Sequence, residues 1–413
     1  MYKFINKKYN IENNLSVIFL RQKLTMKNNN SIMKHNERRK AKFMLKKFKV
    51  KNYKNFKEEL SLDFTEKHDY KFNEYCIKNN IINKAIIFGN NGEGKSNLGY
   101  ALFDIVGTLT DKKTINEQVN NFLNADSDCE YAEFYYEFEF NQDDVKYIYK
   151  KSEFKKMIYE ELYINDEKIY DYDFNNKKFG TYNMEKIKAE TLNFEYYESN
   201  IAILRYIVNN TTLPDDSVVK KIMNFATKML YFRSLNDNNF IGLESEIVNV
   251  DEWIITNNLI KEFNQFLKEN ANLNINVEGA KVIEKNMNIL VEKHKKRPLL
   301  FGGVASSGTK ALLLYFYWYK HFKDIEFLFI DEFDAFYHFK LSKNIIKNLL
   351  EYNNMQTILT SHNTYIATND LLRPDCYFIL ENGIIKALPD RTERELREGH
   401  NLEKMLRQGE FNE

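Results

Sequence analysis

Cysteine is scarce in this 413-residue sequence, where Cys76, Cys129 and Cys376 stand far apart and form no CxxC or Cys/His ligand spacing. That pattern argues against a disulfide framework and a structural zinc site, and it fits a reducing cytoplasm. Long hydrophobic runs are also missing. The longest apolar stretch, Ala311 to Tyr319, has the length of a core helix and falls short of the roughly 18 residues that a membrane span needs. Mean hydropathy is −0.56. Leu15 to Leu20 is too short for the core of a signal peptide and lacks a small-residue cleavage site, so the expectation is a cytoplasmic chain with no membrane segment. No internal repeat is present.

What the sequence does have starts with unevenly placed charge. The total is +1, yet residues 1–54 hold 16 Lys/Arg against only Glu12 and Glu37, a local +14 that leaves −13 for the remainder. This basic arm is either a surface for nucleic acid or an acidic partner, or a flexible Lys- and Asn-rich tail from an upstream start ahead of Met44. The length allows one large core with an insertion.

From Met44 onward the pattern is regular. Phe48, Val50 and Tyr53, then Leu60, Leu62 and Phe64, alternate as two half-buried strands with a turn at Lys54-Asn55. Ala85–Phe88 reads as a continuous apolar strand, followed by a Gly-rich loop and a helix pattern from Lys95 to about Leu109. Residues 131–173 predict an antiparallel meander, with Phe134, Tyr136, Phe138 and Phe140 on one face and Glu133, Glu137 and Glu139 on the other. That aromatic stripe either stacks on bases or packs a core, and its strict period of two favours the core. Residues 181–295 are Asn-rich and mainly helical by pattern, without the sustained heptads of a coiled-coil arm. Residues 298–388 return to alternating strand and helix, which implies a buried parallel sheet. The expected division is a basic extension (1–43), an N-terminal lobe (44–180), a helical insertion (181–295), a C-terminal lobe (296–390) and a tail (391–413).

Four segments carry chemistry. Gly89-Asn90-Asn91-Gly92-Glu93-Gly94-Lys95-Ser96 satisfies GxxxxGK[ST] between a strand and a helix, with Asn97 following. Glycines let successive N–H groups and the helix N-terminus face phosphates, Lys95 reaches the β/γ oxygens, and the Ser96 hydroxyl ligates Mg²⁺. Downstream, Phe327–Ile330 runs into Asp331-Glu332, placing two carboxylates at the C-terminal edge of a strand, where open α/β sheets bind ligands. Asp331 is the expected Mg²⁺-shell residue and Glu332 the base for the attacking water. His362, after the strand Thr357–Leu359 and Thr360-Ser361, is expected beside Glu332 and within reach of the γ-phosphate. His338 either caps the loop after Asp331-Glu332 or simply packs. Finally, Ser306-Ser307-Gly308 opens the apolar helix near Ala311 and is either an anion site or an ordinary N-cap.

In this order and spacing, the four segments resemble the ABC-type P-loop ATPase domain shared by SMC/Rad50 proteins, RecF and the OLD ATPases, over roughly residues 44–390. The resemblance implies an α/β fold with a mixed central sheet, an antiparallel subdomain and a helical insertion. It makes Gly89–Ser96 the Walker A loop, Ser306-Ser307-Gly308 a signature loop departing from LSGGQ, Asp331-Glu332 the Walker B pair, Asp334–His338 the D-loop and His362 the switch histidine. Either Gln118 or Gln142 is the metal-facing Q-loop residue, with Gln118 preferred. The Phe48–Phe64 start and the tail Arg394–Asn401 are similar to the small AAA_15/AAA_21-type ATPases of bacterial defence loci, of the RloA/AbiL kind.

That likeness implies Mg²⁺-dependent hydrolysis of ATP to ADP and phosphate. It also implies a homodimer or higher homo-oligomer with composite ATP sites, and a role as sensor or scaffold in anti-phage defence. The chain ends about 50 residues after His362, so a nuclease-like effector is expected to be a separate protein. The rival readings are a RecF/Rad50-like DNA-repair ATPase, which the acidic body and missing coiled coil oppose, a transport ATPase, and a non-hydrolysing nucleotide-gated scaffold.

Overall fold

The computed structural model describes residues 43–140, 143–192, 201–234, 239–246, 248–282 and 287–412. The basic extension therefore lies outside the described residues except for Phe43, and Gln142 lies outside them as well.

Two seven-stranded sheets organise the chain. The first has the order β10 (Lys178–Thr181), β9 (Glu167–Asp173), β8 (Lys156–Ile164), β7 (Asp143–Glu153), β6 (Ala132–Phe140), β1 (Phe43–Lys51) and β2 (Leu60–Asp63), all antiparallel. Alternation in the sequence dictates its two faces: Phe134, Tyr136, Phe138 and Phe140 are buried on one side while the intervening glutamates are half-exposed. Phe134 and Tyr136 stack on Tyr149 of the next strand, so the aromatic stripe is core and has no free face for a base.

The second sheet runs β12 (Phe240–Gly242), β11 (Met229–Arg233), β16 (Phe327–Asp331), β17 (Gln356–Ser361), β5 (Lys84–Phe88), β18 (Tyr377–Glu381) and β19 (Ile384–Ala387). The five inner strands are parallel and the two edge strands antiparallel. β5, β16 and β17 are buried along their whole length, as continuous apolar strands covered on both faces should be. Helices α1 (Lys95–Leu102) and α9 (Ser307–Tyr319) follow the two Gly/Ser-rich turns, and α10 (Phe339–Leu350) follows the Asp331-Glu332 segment. His338 accepts from the Leu341 N–H and caps α10.

The segment 181–295 departs from the expected helical insertion. It holds α4 (Ile203–Asn210), α5 (Val218–Thr227), α6 (Val250–Thr256) and α7 (Ile260–Ala271), but Met229–Arg233 and Phe240–Gly242 are strands of the central sheet. Val277–Val282 and Met287–Glu292 form a hairpin, β13–β14, extended by β15 (Leu299–Leu300). Leu230, Tyr231 and Phe232 pair with the Asp331 strand, so this segment completes the sheet rather than standing apart from it.

Glu160 on β8 joins the two regions. Its carboxylate is fully buried and accepts from Tyr147 (3.2 Å), Tyr170 (2.9 Å) and the backbone N–H groups of Ile203 (2.6 Å) and Leu204 (2.8 Å) at the start of α4. Burial nonetheless pushes its pKa up from 4.5 to about 7. The folded chain thus keeps a proton that the unfolded chain releases near its ordinary value, so this group's stabilising contribution is fully present below pH ~4.5 and is lost as the pH rises through about 7. A Glu160→Gln chain, neutral throughout, is expected to lose roughly 2 to 3 kcal/mol less stability between pH 5 and 8 than the wild type. Urea melts at the two pH values check this, and equal slopes would contradict it.

Candidate functional site

The site forms where β5, β17 and β16, three neighbouring parallel strands, all end. Register places Ser361 beside Phe88 and Leu359 beside Ile330. The loop after β5 therefore faces the residues after β16 and β17 across one sheet edge.

After β5, Gly92 and Gly94 adopt φ of 88° and 100°, the left-handed region open to residues without a Cβ. Gly89 must also be glycine for a different reason: a Cβ there would lie 2.6 Å from the Leu380 carbonyl oxygen. The loop curls over the N-terminus of α1, where Gly94 is the N-cap. Lys95 is buried, and its ammonium donates to the carbonyls of Gly89 (2.7 Å) and Asn90 (3.0 Å). Burial lowers its pKa, opposed by the charges of Asp331, Glu332 and Glu93. Asn55, from the turn after β1, donates to the Glu93 carbonyl (3.1 Å) and accepts from Asn97 (2.7 Å). This ties the meander sheet to the phosphate-type loop. Glu93 in turn accepts from the Asn382 N–H at 2.7 Å. A recess of about 560 Å³ opens beside α1, lined by Ser96, Asn97, Tyr100, Lys54, Asn116 and Glu117 among others.

After β16, Asp331 is fully buried and surrounded by donors. Its Oδ1 accepts from Thr360 (2.7 Å), and its Oδ2 from Ser96 (2.6 Å) and Tyr231 (3.1 Å). Glu332 has φ 49°, an uncommon conformation for a side chain of this kind. It is held there by its own N–H, which donates to Thr360 Oγ1 at 2.8 Å. Asp334 accepts from Ser361 through both carboxylate oxygens, at 2.8 and 2.9 Å. Its burial pushes its pKa up to about 6.

His362 lies exposed at the end of β17, with Nδ1 3.4 Å from the Lys95 ammonium. Partial desolvation of its ring, followed by the nearby Lys95 charge, lowers its pKa and favours the neutral imidazole.

The structure thus brings Lys95, Ser96, Asp331, Glu332 and His362 together. It does not bring in Gln118. That side chain, in α3 (Asn116–Val119), is fully buried and donates to the Tyr100 carbonyl at 3.2 Å, while its neighbour Glu117 faces the recess. The expected metal-facing role is corrected on that geometry: α3 turns the carboxamide into the core. Ser306 and Ser307 are exposed, and the Ser306 hydroxyl accepts from the Thr309 N–H (3.2 Å) as the cap of α9. A Cβ on Gly308 would lie 2.8 Å from the Phe336 carbonyl oxygen. The turn is therefore packed against the loop that follows Glu332.

Arg233 was not expected. It ends β11, directly beside Asp331 in register, and its guanidinium lies 2.7 Å from Glu332 Oε2 and 3.3 Å from Asp331 Oδ2. Thr360, which holds both members of the carboxylate pair, reads in the sequence only as a residue leading from the strand Thr357–Leu359 to His362.

Ser96 and Asp331 offer the hydroxyl and carboxylate oxygens that a hard divalent cation takes. Among the described residues no group of three or more His, Cys, Asp or Glu side chains could enclose a metal.

Among solved structures, the chain is similar to an SMC head bound to the C-terminal winged-helix domain of ScpA (15% identity, TM-score 0.39, covering 83% of this chain and 96% of that one). It is also similar to the SMC head domain from Thermotoga maritima (16%, 0.37, 83% and 97%) and to a RecF recombination mediator with ATP (14%, 0.37, 84% and 100%). No match is found among curated proteins. Among the described residues, no helix is long and apolar enough to cross a membrane. A family model matches residues 84–368, from the strand before the phosphate-type loop to just beyond His362, and the chain belongs to that family, AAA_21, described as "AAA domain, putative AbiEii toxin, Type IV TA system".

Proposed function

We propose that this chain is an ATP-driven switch: it binds Mg·ATP, hydrolyses it to ADP and phosphate, and closes two copies of itself around two nucleotides. The observation that carries the reading is the convergence of Lys95, Ser96, Asp331, Glu332 and His362 at one edge of three adjacent parallel strands. Gly89–Asn97 wrap the phosphates with backbone N–H groups. Lys95 exchanges its two loop carbonyls for β/γ oxygens, which offsets the cost of its burial. Ser96 and Asp331 would hold Mg²⁺, which supplies charge neutralisation on the phosphate oxygens when bound. Glu332 accepts the proton of the water that attacks the terminal phosphorus as the bond to the bridging oxygen breaks and ADP leaves. His362, neutral and exposed, offers a hydrogen bond to the terminal phosphate.

The second half of each site comes from a partner copy. Ser306 and Ser307 sit exposed, and Gly308 half-buried, at the N-terminus of the 13-residue α9, and among the described residues the Ser306 hydroxyl bonds within its own turn. Nearby elements also leave apolar side chains uncovered: Val304, Phe336, Phe339 and Tyr365 are all more than 40% exposed. A second copy docking there would cover them and aim the α9 N–H groups at a terminal phosphate. Gly308→Ala is expected to push this turn off Phe336 and weaken ATP-driven self-association about tenfold. Sedimentation at a series of concentrations checks it, and unchanged association would remove the turn from the interface.

The reading extends to a cytoplasmic, homo-oligomeric ATPase component of a bacterial anti-phage system, acting on a separate nuclease-like effector. The description of its family as a putative toxin of a type IV toxin–antitoxin system supports this setting. Phage challenge of cells carrying the chain with its neighbouring genes tests it. Protection that Lys95→Ala abolishes is expected, and protection independent of Lys95 would contradict a nucleotide switch.

A further inference from the structure

We infer that Arg233 is a positioning residue for Glu332, orienting the carboxylate that receives the proton in the hydrolysis proposed above. The inference rests on that reading and concerns a residue outside every nucleotide-binding motif.

Parallel pairing of β11 with β16 sets Arg233 level with Asp331, on the side of the carboxylate pair opposite His362 and Lys95. From there one guanidinium spans both acids: its terminal nitrogen on Glu332 Oε2 at 2.7 Å and Nε 3.3 Å from Asp331 Oδ2. The planar fork of arginine suits this bridging of two neighbouring carboxylates, whereas a lysine ammonium is a single point.

Most of the remaining polar handles at this corner are already used. Asp331 is held by Ser96, Thr360 and Tyr231. The Glu332 backbone, in its left-handed conformation, is tied by its N–H to Thr360. Among the described residues, the side chain of Glu332 is bonded by Arg233, through Oε2, which leaves Oε1 for a water. Backbone and carboxylate are thus fixed at separate points, by Thr360 and Arg233. The pair is only partly covered, at 32% exposure for Arg233 and 36% for Glu332, so solvent can reach the free oxygen. Without the guanidinium, two adjacent carboxylates would repel each other and Glu332 would swing toward solvent, away from the position that the left-handed backbone gives it.

The test is steady-state phosphate release from Mg·ATP by wild type, Arg233→Ala, Arg233→Lys, Glu332→Gln and the Arg233→Ala/Glu332→Gln double variant, with thermal melts to confirm folding. The expected result for Arg233→Ala is a fall in kcat of roughly tenfold or more with KM within about twofold. Partial recovery is expected in Arg233→Lys, with no further loss when Arg233→Ala is added to Glu332→Gln. If the alanine variant does not fold, the kcat and KM split in Arg233→Lys decides. A raised KM with unchanged kcat would make Arg233 a nucleotide-binding group and overturn the inference, as would a multiplicative loss in the double variant. Release by wild type with kcat unaltered in the Arg233 variants overturns this inference alone. No release by wild type overturns both it and the hydrolysis reading.

Discussion

Phosphate release by Glu332→Gln is expected to fall at least a hundredfold while Mg·ATP stays bound. The amide keeps the size of the side chain and an oxygen for the Arg233 bond of 2.7 Å, but it cannot take a proton, and a positioned base contributes about 10²–10⁴ in rate. Nothing in the substitution touches the loop 89–94 and Lys95, the groups proposed to bind the nucleotide. Single-turnover phosphate release alongside equilibrium binding of a fluorescent ATP analogue separates the two effects. Turnover equal to wild type would remove Glu332 as the base. Lost binding would mean that the variant damages the site more widely than its geometry implies.

Lys95→Ala should have the opposite signature: binding itself fails. The ammonium reaches into the loop, with the Gly89 and Asn90 carbonyls as its partners at 2.7 and 3.0 Å. Its removal costs charge-assisted bonds to phosphate and also leaves those two carbonyls without their donor. Nucleotide affinity is expected to drop about a hundredfold or more. At a ligand concentration of about 100 Kd the wild type gains roughly 2.7 kcal/mol from ATP, and the variant should gain almost none at the same concentration. Thermal melts with and without Mg·ATP read the difference. Equal stabilisation of the two chains would contradict the assignment.

The parts of the site that the sequence revealed are those carried by contiguous residues next to a single strand. Gly89–Ser96, Asp331-Glu332 and His362 each follow an apolar run, and the side chains come together because β5, β16 and β17 are neighbours in a parallel sheet. The meander was legible for a similar reason, since alternation with a period of two fixes its buried face. What the sequence concealed depends on pairing across long separations. Met229-Leu230-Tyr231-Phe232 is a short apolar run directly after a helix, and such a run reads equally as strand or helix. Only its pairing with β16 makes it a strand of the central sheet and sets Arg233 beside Asp331. Asn55 looked like a turn residue, and its bonds to the Glu93 carbonyl and to Asn97 arise from the packing of one sheet against the loop of the other. Gln118 misled because residue type and interval suggested a metal ligand, whereas the orientation of α3 buries it against Tyr100. Thr360 reads only as a lead-in to His362, whereas its hydroxyl donates to Asp331 and accepts from the Glu332 N–H.

The Ser306–Gly308 turn and the uncovered Val304, Phe336, Phe339 and Tyr365 form the surface over which nucleotide is proposed to close two copies of the chain. Sedimentation velocity of the Glu332→Gln chain with and without Mg·ATP tests that closure most directly, because bound ATP cannot be consumed during the run. Monomers are expected without nucleotide, and dimers with one ATP per chain when it is present. A chain that binds ATP yet sediments as a monomer at every concentration would contradict the proposed closure.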